Sequence, residues 1–372
     1  MPGRWILQFC HSHYGPFADV ARQYAVLFRG SPYRVLTVYL TGEPNDAVRQ
    51  MSSSDEVIFL NFSSKAVSGL KLAAIGALKK IAESRECVLV IAHRAKPTYI
   101  ACLATNLPVI SVHHAFGDYR RAPRRWFANA FWKRLSLLAV SNAVRDEIRH
   151  SLSGWPTDRI ETLYNRIDVA AVQAEILPRE EARKALNLPL NAPVIGNVGR
   201  LHPDKDQATL LAGFSAALPY LPAGTLLAIA GSGPLEGKLK AQAAALGIDG
   251  QVRFLGQVPN ARRLFSAFDL FVLSSDREPF GMVLLEAMAA GVPVIATDCG
   301  GAPEVVRDKA ALFPLKDAQA LAARMTHALT DGDSAADFAH LVSHFSDDAA
   351  RRRFFALPAV TTALNQATPC NG

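Results

Sequence analysis

Short apolar runs separated by longer amphipathic stretches recur along the whole chain. In the first half the runs fall at residues 5–9, 33–39, 56–59, 88–92, 109–113 and 137–140. In the second half they fall at 194–198, 226–230, 252–255, 270–273 and 292–296. They are short and lack a clean polar alternation, which predicts strands buried on both faces, as in parallel sheets. Between them, stretches such as 20–28 and 69–82 carry helical spacing. Strands alternating with helices in two successive sets predict two doubly wound α/β domains. The boundary is expected near 168–178, ahead of a helix at 180–188 and a Pro/Asn turn at 188–193. This gives a first domain over 1–175, a second over 176–345, and a tail over 346–372 whose helix at 347–356 packs back on the first domain.

The most informative break in the pattern lies between the run at 270–275 and the apolar helix that follows, in the sequence Glu278-Pro-Phe-Gly-Met-Val-Leu-Leu-Glu286. Glu278 is expected on a loop at the carboxyl end of a strand. Glu286 is expected one turn into the helix, whose side chains tilt back toward its N-terminus. Open α/β sheets bind ligands outside the carboxyl ends of their strands. Free N–H groups around Gly281, Met282 and Val283 offer an anion a seat. A phosphorylated, hydroxyl-rich ligand fits such a place.

Composition narrows the class. With 372 residues, half of them apolar and a fifth charged, the chain is globular and long enough for two cores. Five scattered cysteines (Cys10, Cys87, Cys102, Cys299, Cys370) form no C-x-x-C pair, which predicts reduced thiols and neither a disulfide frame nor a zinc site. The first residues lack the apolar stretch of a signal peptide, and no run reaches membrane-spanning length, so a cytoplasmic protein is expected. Residues 1–177 carry 22 Lys and Arg against 14 Asp and Glu, and the remainder 18 against 19. The positive excess therefore sits in the first half, which suits an anionic partner.

Several segments of the second half carry a resemblance. They are Gly199-Arg200, Lys205-Asp206-Gln207-Ala208-Thr209-Leu210-Leu211, Gly231-Ser-Gly233-Pro234, the Glu278–Glu286 segment, Gly291-Val-Pro-Val-Ile-Ala296 and Gly300-Gly301-Ala-Pro-Glu304. In this order the chain resembles the retaining glycosyltransferases of family 4. That resemblance implies the GT-B fold, in which two Rossmann-like doubly wound domains face a cleft. The first half matches more loosely.

The resemblance implies roles for particular residues. Arg200 and Lys205 would hold the diphosphate of a nucleotide-sugar, as a planar fork and a point charge. Glu286 would take the ribose hydroxyls, and Glu278 would orient the donor sugar or stabilise charge at its anomeric carbon. Gly281, Met282, Val283, Gly231, Gly233, Gly300 and Gly301 would bring backbone close to the nucleotide, although the glycines also suit tight turns. In the first half, His93 and His113 end two strands. His113 is expected to contact the donor sugar, with His114 as the alternative in register. Gly15 is the one glycine of the loop after the first strand, where the family carries more, which counts against phosphate cradling there. Asn165-Arg166-Ile167-Asp168 has Arg where the family has Gly, adding a cation toward the cleft.

Residues 120–135 interleave cations (Arg120, Arg121, Arg124, Arg125) with large aromatics. They suit an acceptor's phosphates, an anionic membrane surface, or a helix whose aromatics pack inward. Two D-x-D triplets, Asp204-Lys-Asp206 and Asp331-Gly-Asp333, resemble metal sites, but the first lies inside the phosphate loop and the second between helices. No metal and no cofactor are expected.

The resemblance thus implies a cytoplasmic retaining glycosyltransferase, peripheral to the inner face of the cytoplasmic membrane if residues 120–135 meet lipid. It would move a sugar from a nucleotide-diphospho-sugar, with UDP as the expected nucleotide, to an anionic glycolipid or oligosaccharide, with lipopolysaccharide core as the first choice. A lipid-linked exopolysaccharide precursor or other glycolipid is the alternative acceptor. A non-catalytic nucleotide-sugar-binding protein, or a nucleic-acid-binding protein suggested by the basic composition, are the alternatives of another class; no nucleic-acid recognition module is present, so no nucleic acid is expected.

Overall fold

The computed structural model describes residues 3–14, 17–330 and 338–366. The chain divides into two compact units, one made of Met1–Asn165 with Asp347–Gly372 and the other of Arg166–Ser346. The second unit thus begins at Arg166, ahead of 176. The helix Val169–Glu175, capped by Asp168 accepting from Ala171 N, belongs to it, and its Gln173 reaches the Ala289 carbonyl.

The first unit is built on β1 (Arg4–Cys10), β2 (Tyr33–Tyr39), β3 (Glu56–Phe59), β4 (Cys87–His93), β5 (Val109–His113), β6 (Leu135–Ala139) and β7 (Ile160–Thr162). They pair in the order β3-β2-β1-β4-β5-β6-β7, all parallel. The second unit is built on β8 (Val194–Val198), β9 (Leu226–Ala230), β10 (Val252–Gly256), β11 (Leu270–Leu273), β12 (Val294–Thr297) and β13 (Leu312–Phe313). Its order is β10-β9-β8-β11-β12-β13, again all parallel. Both sheets reverse their winding once, between β1 and β4 and between β8 and β11. A doubly wound sheet opens its ligand crevice at such a switch point.

The central strands are buried along nearly their whole length because helices cover both faces. In the first unit, Ile6, Leu89, Ile91 and Val112 pack against Tyr24, Leu27 and Phe28 and against Phe354, Leu357 and Val360 of the last two helices, Asp347–Ala356 and Pro358–Gln366. Phe28 and Phe354 meet edge to face at 5.6 Å. Burying a Phe stabilises by about 1.5–3 kcal/mol. The partly exposed Arg22–Asp347 ion pair at 2.9 Å contributes about 0–1 kcal/mol, so apolar packing dominates the seating of this tail.

One structural clasp of the second unit has no sequence signature. Arg183 is fully buried in the helix Arg179–Ala185. It donates to the carbonyls of Ala267, Pro189, Leu190 and Ala192 and to Asp269 Oδ2 at 2.8 Å. The same Asp269 oxygen accepts from Val194 N, so one guanidinium ties the helix to the starts of β8 and β11.

Candidate functional site

The switch point of the second sheet gathers the loop after β8 and the loop after β11. They are bonded to each other: Asp276 N donates to the Asp204 carbonyl at 3.1 Å, and Ser274 Oγ to the Lys205 carbonyl at 2.9 Å. Across this seam Lys205 Nζ lies 2.7 Å from Glu278 Oε2, which also accepts from Ser275 Oγ at 3.0 Å. Both side chains are largely buried. A lysine ammonium has three donors, so it can hold Glu278 and a phosphate oxygen together.

The glycines around this seam are required by the chain's own backbone. A Cβ on Gly300, which has φ +58°, would lie 2.0 Å from the Glu278 carbonyl oxygen, and one on Gly301 2.5 Å from that of Pro279. Gly301 N donates to the Glu278 carbonyl at 2.8 Å. The Gly300–Gly301 turn therefore fixes the Glu278 loop. Gly231 and Gly233 act in the same way on the loop after β8, because a Cβ there would meet the carbonyl oxygens of Gly199 at 1.9 Å and Leu201 at 2.3 Å. The close backbone approach expected toward a nucleotide is, in the structure, an approach between two loops.

Gly281 adopts φ +101° and starts the helix Met282–Ala289. Met282 and Val283 sit half-buried in its first turn, with Glu286 half-buried one turn on. Arg200 is exposed and lies 3.3 Å from Asp204, which also bonds His202. Asp206 caps the following helix through Thr209 N and Oγ1. Both carboxylates of this D-x-D are thus engaged by protein groups. Asp331-Gly-Asp333, Gly15 and Cys370 lie outside the described residues. The four described cysteines are free, and burial pushes the Cys299 thiol up to about 11, with its Sγ donating to the Ser275 carbonyl.

In the first unit the carboxyl ends of β4 and β5 bring three histidines together in an unexpected division of labour. His113 is fully buried, and both its ring nitrogens are engaged. Nδ1 lies 2.7 Å from Asp118 Oδ2, and Nε2 lies 3.0 Å from Ser111 Oγ and 3.2 Å from Tyr119 OH. An ionised carboxylate only accepts, so Nδ1 carries a proton. Burial alone would raise the Asp118 carboxyl, but the bond to His113 and the charges of His113, Arg124 and Arg94 hold it below the usual range. Arg124 donates to Asp118 Oδ1 at 2.8 Å, and Arg120 pairs with Glu147 at 2.8 Å. These two arginines, expected to meet an acceptor, are tied to carboxylates of their own unit.

His114, the alternative in register, is partly exposed and faces His93, with Nε2 3.4 Å from His93 Nδ1 and the rings stacked 5.6 Å apart. Burial and the charges of Arg94 and His113 lower His114 to about 3, and burial and His114 push His93 well below its ordinary value. Both are neutral at physiological pH. Among the described residues, His93 Nε2 and, at the end of β1, His11 Nδ1 have no hydrogen-bond partner. Arg94, directly after β4, adopts φ +78°, an unfavourable backbone for a side chain of this size. Burial, then the charges of Lys96 and Arg94, lower His11. The edge is therefore basic, as the charge distribution implied. Asn165 ends the first unit, and Arg166 is fully buried and not a solvent-facing cation.

Ser275, Asp118, Tyr119 and Ser111 hold these side chains in place and were not singled out from the sequence as site residues. The one available signal was spacing: Ser275 stands three residues before Glu278, and Asp118 five after His113.

Two parallel doubly wound units with these loops at their switch points define a class. A family model described as Glycosyltransferase Family 4 matches residues 18–171, and one described as Glycosyl transferases group 1 matches residues 178–340. The chain belongs to these glycosyltransferases of GT-B fold. Among relatives, alpha-maltose-1-phosphate synthase of Mycolicibacterium smegmatis is 32% identical over 206 residues, covering 52% of this chain and 52% of that protein. The lipopolysaccharide core biosynthesis glycosyltransferase LpsE of Rhizobium meliloti is 33% identical over 184 residues, covering 48% and 53%. The chain spans about half the length of the curated relatives it matches. The crystal structure of Anabaena Alr3699/HepE in complex with UDP and glucose superposes with a TM-score of 0.75 at 20% identity, covering 96% of this chain and 99% of that one, a likeness of fold.

Proposed function

We propose that the protein is a retaining, metal-independent glycosyltransferase that takes its sugar from a UDP-sugar and passes it to a lipopolysaccharide core acceptor. The observation that carries this reading is the Lys205–Glu278 pair, at 2.7 Å, on the switch point of the second sheet. In the reaction the bond from the anomeric carbon to the diphosphate oxygen breaks, a bond to the acceptor oxygen forms with the same configuration, and the acceptor hydroxyl's proton passes to the departing diphosphate. Negative charge grows on the departing diphosphate. Lys205, fixed by Glu278, and Arg200 meet that charge, and a preorganised donor of this kind is worth about 3 kcal/mol in the transition state. Glu286 takes the ribose and Glu278 faces the sugar; in the first unit, His113 sets the position of His114 through the strand end they share. The structure of HepE with UDP supports the choice of nucleotide, and the name of LpsE supports the choice of acceptor. The engagement of Asp204 and Asp206 by protein groups supports a reaction without a metal at that D-x-D.

The test is turnover of a panel of nucleotide-sugars, read as released nucleotide, with and without core oligosaccharide and with and without EDTA. Turnover of a UDP-sugar that rises with acceptor and survives chelation is expected. No turnover of any donor, or its complete loss in chelator, contradicts the proposal.

A further inference from the structure

Three of the chain's four tryptophans line one surface groove of the first unit. The groove has a volume of about 550 Å³ and is formed by Arg125, Trp126, Asn129 and Trp132 on one side and residues 151–156, including Trp155, on the other. The helix Ala122–Phe131, with a proline in its first turn, divides its aromatics between two faces. Phe127 and Phe131 pack inward, Phe127 against Tyr99 at 4.9 Å and the two phenylalanines against each other at 4.7 Å. Trp126 is left 71% exposed and Trp132 42% exposed. Trp155 is held in place by its Nε1 donating to Asn129 Oδ1 at 2.7 Å.

The side chains that line the groove carry charge of one sign. Among the described residues none of its lining side chains is acidic. Arg125 donates to the carbonyls of Tyr119 and Arg120, which leaves its charge uncompensated. Arg121 and Lys133 are exposed at the two ends of the helix. Trp132 stands just before β6 and Trp155 just before the turn into β7, so the groove lies at the amino ends of these strands. The histidines lie at the carboxyl ends, at the opposite edge of the sheet.

We infer that this tryptophan groove is the face by which the protein rests on an anionic lipid bilayer. Tryptophan seats its ring at the headgroup level with its N–H in water. Basic side chains flanking such a helix add attraction to anionic lipid, which falls off within a Debye length. A contact of this kind needs no spanning segment, and no described helix is long and apolar enough to cross a membrane. The inference does not depend on the proposed transfer reaction.

The experiment mixes the full chain with vesicles of phosphatidylcholine alone or with phosphatidylglycerol, and reads co-sedimentation and tryptophan emission. Trp5 is only 9% exposed, so emission changes report the groove. Binding to the anionic vesicles, a blue shift and weakening with salt are expected. Trp126→Ser should lower the partition coefficient and reduce the blue shift, and Lys133→Ala should lower it about fivefold. Circular dichroism checks that both variants are folded, and turnover of donor with a soluble acceptor should be unchanged in both. Absence of binding to anionic vesicles, or binding by both variants equal to that of the intact protein, overturns the inference. So does a soluble oligosaccharide that shifts the emission to the blue while vesicles do not, which would make the groove a glycan site.

Discussion

Lys205 Nζ and Glu278 Oε2 stand 2.7 Å apart across the seam between the loops after β8 and β11, although they are 73 positions apart in the chain. The pair joins two positions that each look ordinary alone: a lysine in a charged turn and a glutamate before a proline. In contact, and mostly shielded from water, they form a fixed positive donor with a fixed carboxylate at its back. The donor is held in place before a ligand arrives, which is the preorganisation the proposed transfer would use.

Lys205→Ala should therefore lower kcat for transfer by about 10²–10³, the usual cost of losing one preorganised donor. It also leaves a buried carboxylate with a single hydroxyl partner, so unfolding stability should drop by about 1–3 kcal/mol. A double-mutant cycle with Glu278→Gln, read by urea midpoints, should show coupling of about 0.5–3 kcal/mol. Additive effects would mean that the two groups act separately.

Gly300→Ala should disable the site from outside it. The new Cβ would collide with the Glu278 carbonyl and must adopt φ +58°. About 1–3 kcal/mol of strain is expected, together with a loss of turnover as Glu278 is displaced. Gly291→Ala is the control: φ is also positive there, but nothing lies within 4 Å of a Cβ. It should cost stability while sparing the activity of the folded fraction. Equal specific activity in the two folded variants would argue against a role for the Gly300–Gly301 turn in holding Glu278.

The histidines should separate by phenotype. His113→Ala removes the centre of a buried network of Asp118, Ser111 and Tyr119, and should destabilise by about 2–4 kcal/mol. His114→Ala should change stability little while reducing turnover. Melting temperatures and kinetics of the two variants distinguish the roles, and the reverse pattern would restore His113 as the sugar contact.

Acid should weaken the first unit well before carboxylates protonate. His93 and His114 have folded-state values depressed below the ordinary 6.5. Below pH 6.5 the unfolded chain binds their protons and the folded chain does not. Their contribution is thus fully present above that pH and is lost as pH falls, down toward about 3 for His114. Each group adds up to about 1.4 kcal/mol per pH unit in this window. Urea unfolding at pH 7 and pH 5 should show the decline, and His93→Gln should flatten it. A profile flat in both proteins would mean that the imidazoles titrate normally.

Much of the fold could be read from the pattern of apolar residues, because strands covered on both faces leave uninterrupted runs such as 88–92, 226–230 and 270–273. Two of the four edge strands, β7 and β13, escaped, being three and two residues long. The run at 292–296 begins its strand at Val294, since Val292 and Pro293 still belong to the turn after the helix. The placing of Glu278 on a loop after β11 and of Glu286 one turn into the following helix was legible, because a break between strand and helix is local. What could not be read was pairing over distance. Nothing in the sequence says that Gly231 and Gly233 yield to the backbone of Gly199 and Leu201, or that Asp118 claims His113 and leaves His114 facing His93. Arg166 shows the same limit, since a cation expected toward the cleft is fully buried.

The central claim is that Lys205 and its loop receive the diphosphate of a nucleotide-sugar. Calorimetric titration of UDP into the intact protein and into Lys205→Ala and Glu286→Ala tests it most directly. The account predicts saturable binding of UDP by the intact protein, and a loss of about tenfold or more in affinity in each variant, for the lost charge or the lost ribose contact. Unchanged affinity in both variants, or no binding of UDP by the intact protein, would contradict it.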